Sequence, residues 1–343
     1  MLSDVRSVRG LTVSLVVFLA LGASVFAPGA DGRALPTRWR SFLHVPAVVD
    51  LTGPRTDGSL TVAADGALST LRLGTQPSPF ARGPDGYSTA PGPEPYIALA
   101  SNEMVDGTAC SFTADTVYAI EPSNPPGVVE IDAQGQARRF ADLESGTMPN
   151  GIAFDDVGRF GHRLLVTAAL SDGTALLALD CAGGVSTIAP HAPRLEGGIE
   201  VAPASFGAYA GDLIAPDEYS GRILAIDPGG GVHTVARSGL PSGADIGVES
   251  AGFVPPGFDR TGAAYLADRR SPGNPHPGTD SILRVSGADF VKAGVRPGDL
   301  IVASEGGAKT IAVRCARTCS VRKIADGPAS SHAEGHIVFA PGP

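Results

Sequence analysis

Four segments of this 343-residue chain share one pattern: PNGIAFD from Pro149, LEGGIEVAP from Leu195, VESAGFVPP from Val248 and AEGHIVFAP from Ala333. Each opens on Asn or Glu, passes through small residues, and runs into alternating apolar residues that stop near Pro or Asp. Asn150 and Glu196 are 46 positions apart, and Glu196 and Glu249 are 53 apart. A unit of that size cannot bury its apolar face alone and has to stack against copies of itself, which is the periodicity of propeller blades.

Within each unit a second order recurs. LEGGIEVAP is followed by GDLIAPDEYSG, RILAIDPGG and GVHTVARSG, which read as four short antiparallel strands joined by Gly, Pro and Asp turns. PNGIAFD, HRLLVTAAL, TALLALDCAGG and GVSTIAP repeat the arrangement. The spacing therefore predicts an all-β, six-bladed β-propeller of four-stranded antiparallel blades, with five blades as the alternative. From Glu249 to Glu334 is 85 positions, less than two full units, and this stretch holds two second-strand candidates, AAYLADRR and DLIVASEGG. AEGHIVFAP lies at the end of the sequence with no strands after it. Its partners are expected near the N-terminus, in GSLTVAADG and ALSTLRLG, so that both terminal segments share one blade and close the ring without an open edge.

Residues 1–30 read as a secretory signal. Arg6 and Arg9 precede an uncharged apolar run, Leu11 to Ala23, too short to span a bilayer, and small residues follow at Ala23, Ala27 and Ala30. A secreted protein with no stable membrane insertion after cleavage is expected, with 31–343 as a single propeller domain. Four cysteines in an exported chain favour disulfides over zinc. Cys315 and Cys319 would face each other across a hairpin mouth, leaving Cys110 and Cys181 for the other bridge. The net charge of −9, with no basic block, excludes a nucleic-acid footprint and suits cations or small polar ligands.

Consecutive blade strands are antiparallel, so inner-strand starts and second-strand ends share one face. Inner-strand starts supply Asn150, Glu196, Glu249 and Glu334; second-strand ends supply Asp217, Glu218, Asp268 and Glu305, with Glu103 in ALASNEM and His276 in a long loop on the same face. Glutamates converging on an axis require protons or a bound cation. Oxygen donors suit Ca²⁺, with Mg²⁺ and Zn²⁺ as alternatives. His332 stands beside Glu334 and can exchange protons near neutral pH. No GxSxG, P-loop or HExxH motif occurs.

PNGIAFD, with Asn150, and the Glu-Gly inner-strand starts resemble the superfamily of gluconolactonase, senescence-marker protein and luciferin-regenerating enzyme. The likeness covers about the central half of the chain. It implies a six-bladed propeller with a divalent ion in its channel, held by Glu, Asn and Asp, and lactone hydrolysis in many members. Asn150 matches the family's Pro-Asn-Gly asparagine, and Glu196, Glu249 and Glu334 are each eligible as its metal glutamate. One departure is plain: where the family places a catalytic Asp in Pro-Asp-Gly, this chain has Glu249 in VESAG, with Asp245 four residues upstream.

Two functions follow as expectations. One is a Ca²⁺-dependent hydrolase of a lactone or small ester, with Asn150, Glu196, Glu249 and Glu334 around the ion and Glu249, Asp245 or His332 taking a proton. The alternative is a non-catalytic extracellular propeller whose ion is structural and whose partner is a protein or small molecule.

Overall fold

Apolar-rich runs of two to eight residues, most of them five or longer, become strands between Gly, Pro and Asp turns. The computed structural model describes residues 37–72, 74–82, 94–122 and 125–341; the expected signal segment 1–30 lies outside them. Four sheets are simple four-stranded meanders. They comprise Val48–Thr52, Leu60–Ala64, Ala67–Leu71 and Ser78–Arg82, and then Ile97–Leu99, Val117–Glu121, Gly127–Ile131 and Ala137–Asp142. The third holds Met148–Phe154, Leu164–Ala169, Thr174–Leu179 and Val185–Ala192; the fourth holds Glu200–Val201, Leu213–Asp217, Arg222–Ile226 and Val232–Arg237. These are the four-stranded blades of a β-propeller.

The remaining strands form one nine-stranded sheet. Within it, Val248–Phe253 heads an antiparallel array with Leu300–Ser304, Thr310–Cys315 and Cys319–Asp326, extended by Thr37–Arg38 along the outer edge. Ala333–Ala340 heads a second array with Ala263–Asp268, Ser281–Ser286 and Arg40–His44. Only the parallel pair Ala251 and His336 joins the two heads.

This arrangement revises two expectations. AAYLADRR and DLIVASEGG are both second strands, but the first belongs to the array headed by the C-terminal strand, and the chain returns to complete the array of Val248–Phe253 only afterwards. The C-terminal strand does share an array with an N-terminal strand, but that strand is Arg40–His44, and it lies outermost. GSLTVAADG and ALSTLRLG stay in their own sheet, because VVDLT supplies that sheet's inner strand. Asp50, in the middle of VVDLT, interrupts the apolar run and hides the strand from a pattern search.

One turn shows how the repeat sets the stacking. The third and fourth strands of three blades are joined by Asp-x-x-Gly at Asp132–Gly135, Asp180–Gly183 and Asp227–Gly230. In each, Asp Oδ1 accepts backbone N–H groups and Gly takes φ of 83, 84 and 85°. A Cβ on any of the three glycines would press within 2.6 Å of a carbonyl oxygen on the outer strand of the preceding blade, at Phe80, Phe140 or Ile188. Positive φ and close approach both demand glycine here. Gly183→Ala is expected to cost about 1–3 kcal/mol, read as a lowered denaturation midpoint at unchanged m-value.

Apolar side chains lie between the blades. Phe112, Tyr118 and Phe154, for example, pack edge to face between the second and third sheets. Cys110–Cys181 ties those same two sheets together, and Cys315–Cys319 closes a hairpin.

The inner edges would leave unpaired backbone groups along the axis, and side chains from other blades cap them. Asp50, fully buried, accepts the N–H groups of Leu51, Ile97 and His336 at 2.7–2.8 Å and also faces His336 Nδ1 at 2.9 Å. His336 Nε2 reaches the carbonyl oxygen of Ile152 at 3.0 Å, and Glu200 accepts Phe253 N–H at 2.6 Å. This belt separates the two mouths of the channel.

Candidate metal centre at the channel mouth

The starts of the inner strands deliver carboxylates to one mouth. Glu249 and Glu334 are each the second residue of an inner strand, and both are buried. Tyr96 immediately precedes the inner strand Ile97–Leu99, and its hydroxyl lies 2.6 Å from Glu249 Oε1, 2.8 Å from Glu334 Oε2 and 2.9 Å from Glu94 Oε2. Antiparallel return of the second strands adds Glu218 and Glu305, also buried. Three trios, Glu94–Glu249–Glu334, Glu218–Glu249–Glu305 and Glu305–His332–Glu334, each bring one donor atom per residue within 4.8 Å of one another.

Two cations sit among these acids. Arg269 pairs with Glu94 and reaches Glu334 Oε1 at 3.4 Å. His332 Nε2 lies 2.8 Å from Glu305 and 3.2 Å from Glu334. Asp268 holds the His332 backbone by accepting its N–H at 2.8 Å.

One phenol proton cannot serve three ionised carboxylates, so the cluster must hold further protons when no cation is bound. The electrostatics agree. Burial, then Glu334, pushes Glu94 up to about 7; burial, then Glu94 and Glu334, pushes Glu196 up to about 8; burial, then Glu196 and Glu305, pushes Glu218 up to about 8. Glu249 is raised well above the usual carboxylate range by burial and by Glu334. Burial opposes ionisation of Glu334 as well, but hydrogen bonding from His332 and the charge of Arg269 outweigh it and hold this group down to about 2. For His332, burial disfavours the charged form, but Glu305 and Glu334 raise the imidazole to about 10.

Three buried atoms at this mouth have no hydrogen-bond partner: Glu305 Oε2, His332 Nδ1 and Asn150 Oδ1. Asn150 Nδ2 donates to the Leu195 carbonyl at 2.6 Å, which turns Oδ1 away from that contact. The dipeptide Gly197–Gly198 bridges Asn150 to Glu249, since Gly197 N–H donates to the Asn150 carbonyl and Gly198 N–H to the Glu249 carbonyl. A side chain at Gly197 would collide with Glu249.

Of the residues singled out in the sequence, Glu196, Glu218, Glu249, Glu305, His332 and Glu334 are brought together. Asp245 is exposed at the rim, where it acts electrostatically on Glu218 and Glu305. His276 lies against Gly306 and hydrogen-bonds the Ala329 carbonyl. Asp217 is not part of the cluster: side chains alternate along a strand, so where Glu218 points in, Asp217 turns into its own hairpin and binds Ser220 and Arg222. Asp268 turns toward Thr279, Ser331 and the His332 backbone. Glu103 is exposed at the other mouth, close enough to influence Asp156, because ALASNEM continues an inner strand instead of ending a second one. Sequence reasoning missed Glu94, Tyr96 and Arg269. EPYIALA begins with Glu before an apolar run, as the repeats do, but Pro95 breaks the Glu-small-small spacing.

Fold and site together define a β-propeller with a buried carboxylate cluster at one channel mouth. No family model matches the chain, and no curated protein matches it in sequence. Solved structures similar to it include a catalytically inactive virginiamycin B lyase from Staphylococcus aureus with quinupristin, at 12% identity and TM-score 0.47 over 88% of this chain and 95% of that one. A PQQ-bound aldose sugar dehydrogenase from Streptomyces coelicolor matches at 14% identity and TM-score 0.47, over 85% and 88%. A gluconolactonase from Xanthomonas campestris matches at 12% identity and TM-score 0.40, over 68% and 69%. Gluconolactonases, the group the sequence resembles, are thus among the structural neighbours.

Proposed function

We propose that this chain is an exported, six-bladed β-propeller that binds a divalent cation, Ca²⁺ before Mg²⁺ or Zn²⁺, and hydrolyses a lactone or small ester at the same mouth. The six-blade reading rests on the single parallel pair in the nine-stranded sheet: without it, two four-stranded antiparallel arrays remain beside the four separate blades. Export rests on the character of residues 1–30 and is supported by the two disulfides; among the described residues no helix is long and apolar enough to cross a membrane.

The observation that carries the cation is the set of buried donors without partners among carboxyls that cannot all ionise. Their chemistry fits a hard ion: carboxylate and amide oxygens dominate, and His332, protonated through neutral pH, stands beside them without acting as a ligand. Asn150, Glu196, Glu249 and Glu334 would hold it. Such an ion, when bound, polarises a carbonyl and acidifies water. Around it, His332 carries a proton at Nε2 through neutral pH and is placed by Asp268 and Glu305 to give it to a departing alkoxide. Accepting the proton of an attacking water falls to Glu249 or Asp245, of which Asp245 stands at the solvent-facing rim.

A non-catalytic binding propeller is the second reading. It is favoured by Glu334, whose two oxygens are already engaged by Tyr96, His332 and Arg269, as in a structural ion-pair network. A panel of lactones assayed with and without chelator separates the two readings. Turnover that is lost on chelation and restored by Ca²⁺ is expected, with Glu249→Gln lowering it at least 100-fold. A shift in Tm without turnover would leave only the binding propeller.

A further inference from the structure

The opposite mouth of the channel, where the inner strands end, opens into a cavity of 320 Å³. Thr52, Leu99, Ile152, Phe253 and Ile337 contribute to its wall, and the Asp50–His336 belt closes its inner end. It is separate from the carboxylate cluster, which gathers at the strand starts. Along the inner strand Val248–Phe253, Glu249 of the cluster and Phe253 of the cavity wall are four residues apart, roughly 13 Å.

The wall exposes slightly more apolar than polar surface, and its charged groups are unbalanced. Glu200, Asp156 and His336 line the cavity, and among the described residues no Lys or Arg does. His336 faces an acceptor at each ring nitrogen, the Asp50 carboxylate at Nδ1 and the Ile152 carbonyl at Nε2, so both nitrogens carry hydrogen and the ring is an imidazolium. Asp50 already neutralises that charge. Glu200 spends one oxygen on Phe253 N–H, and Asp156 is hydrogen-bonded to Ser101 at the rim, with Glu103 adding a further negative charge nearby. Two acids thus face the chamber: burial pushes Glu200 up to about 7 against the opposing charge of His336, and burial raises Asp156 against the weaker pull of His162, so a further cation entering the chamber would favour the ionised form of both.

We propose that this second mouth is a binding site for a small organic cation, an amine with an apolar body, whose ammonium pairs with Glu200 and Asp156 while its body fills the chamber. Shape and charge divide the work: the apolar part of the wall accepts a ring or short alkyl chain, and the acids select against neutral and anionic molecules of the same shape.

Three probes of one size test the selection on the full mature chain: benzylammonium, benzyl alcohol and benzoate, titrated by calorimetry with ligand-detected NMR for weak binding. Benzylammonium is expected to bind at least tenfold more tightly than benzyl alcohol, and benzoate not to bind. Glu200→Gln keeps an acceptor for Phe253 N–H and should bring benzylammonium down to the level of the alcohol. Asp156→Asn, at an exposed position, should weaken it several-fold and decides the matter if Glu200→Gln does not fold. Equal affinity for amine and alcohol, preference for benzoate, absence of benzylammonium binding at millimolar concentration, or full affinity in the variant that folds would overturn the proposal.

Discussion

Asp50→Ala should lower Tm by about 5–8 °C, from a loss of roughly 3–5 kcal/mol, the range for removing one partner of a buried charged network. Three backbone N–H groups, from Leu51, Ile97 and His336, would lose their acceptor, and the buried His336 imidazolium its counter-charge. Gly335 shows how tight the contact is, since it holds φ of 64° and a Cβ there would collide with Asp50. These partners belong to three inner strands, so the effect should be global, seen by calorimetry as one cooperative transition moved down. The pH dependence has a definite sign. His336 is raised from its ordinary value, with Asp50 overcoming the opposing effect of burial, so its contribution is complete below the unfolded pKa of about 6.5 and fades as pH rises through the folded value. Asp50→Ala should therefore narrow its deficit at alkaline pH. A Tm within 2 °C of the parent would remove the belt from any role in closing the ring.

The second large effect concerns the cation. In chelator, stability is expected to fall as pH rises from about 5 to 8. Glu94, Glu196 and Glu218 have folded values of about 7, 8 and 8, above their unfolded values, so the folded state binds more protons across that window, and raising the pH removes them at greater cost from the folded chain. His332, raised to about 10, adds loss in the same direction between about 6.5 and 10. Glu334, held down to about 2, contributes fully above its unfolded value of about 4.5 and loses that contribution as pH falls through about 2, below this window. A divalent ion replaces the protons, so millimolar Ca²⁺ should raise Tm by several degrees at pH 8 and far less at pH 5, about 2.7 kcal/mol at a hundredfold excess over Kd. Glu249→Gln should remove most of the Ca²⁺ response while costing the chelated protein little, since burial and Glu334 raise Glu249 well above the usual carboxylate range and Gln keeps the shape and a donor for its neighbours. Thermal scans at the two pH values, with Ca²⁺ and with chelator, decide it; identical curves would dispose of the metal centre.

Much of the architecture is legible in the chain because blades repeat. Alternating apolar runs, Asp-x-x-Gly turns and Glu or Asn at inner-strand starts are local patterns, and each recurs because each blade meets the same neighbour geometry. The same repetition marked Glu196, Glu249 and Glu334. Glu218 and Glu305 came from strand direction alone. Asp217 and Asp268 were drawn in by the same rule, which locates the end of a strand but not the side to which a residue there points.

What the amino-acid order determined by itself was the unit: its four strands, its turns, its cysteine pairs and the mouth toward which its acids lie. Tertiary structure decided how the last two arrays interleave, that Asp50 caps other strands instead of breaking its own, and that Tyr96, Glu94 and Arg269 join the cluster. The reason is physical. A turn or an apolar alternation is satisfied within a few residues, whereas the charge balance at an axis depends on side chains 153 and 238 positions apart meeting one hydroxyl, as Glu249 and Glu334 meet Tyr96.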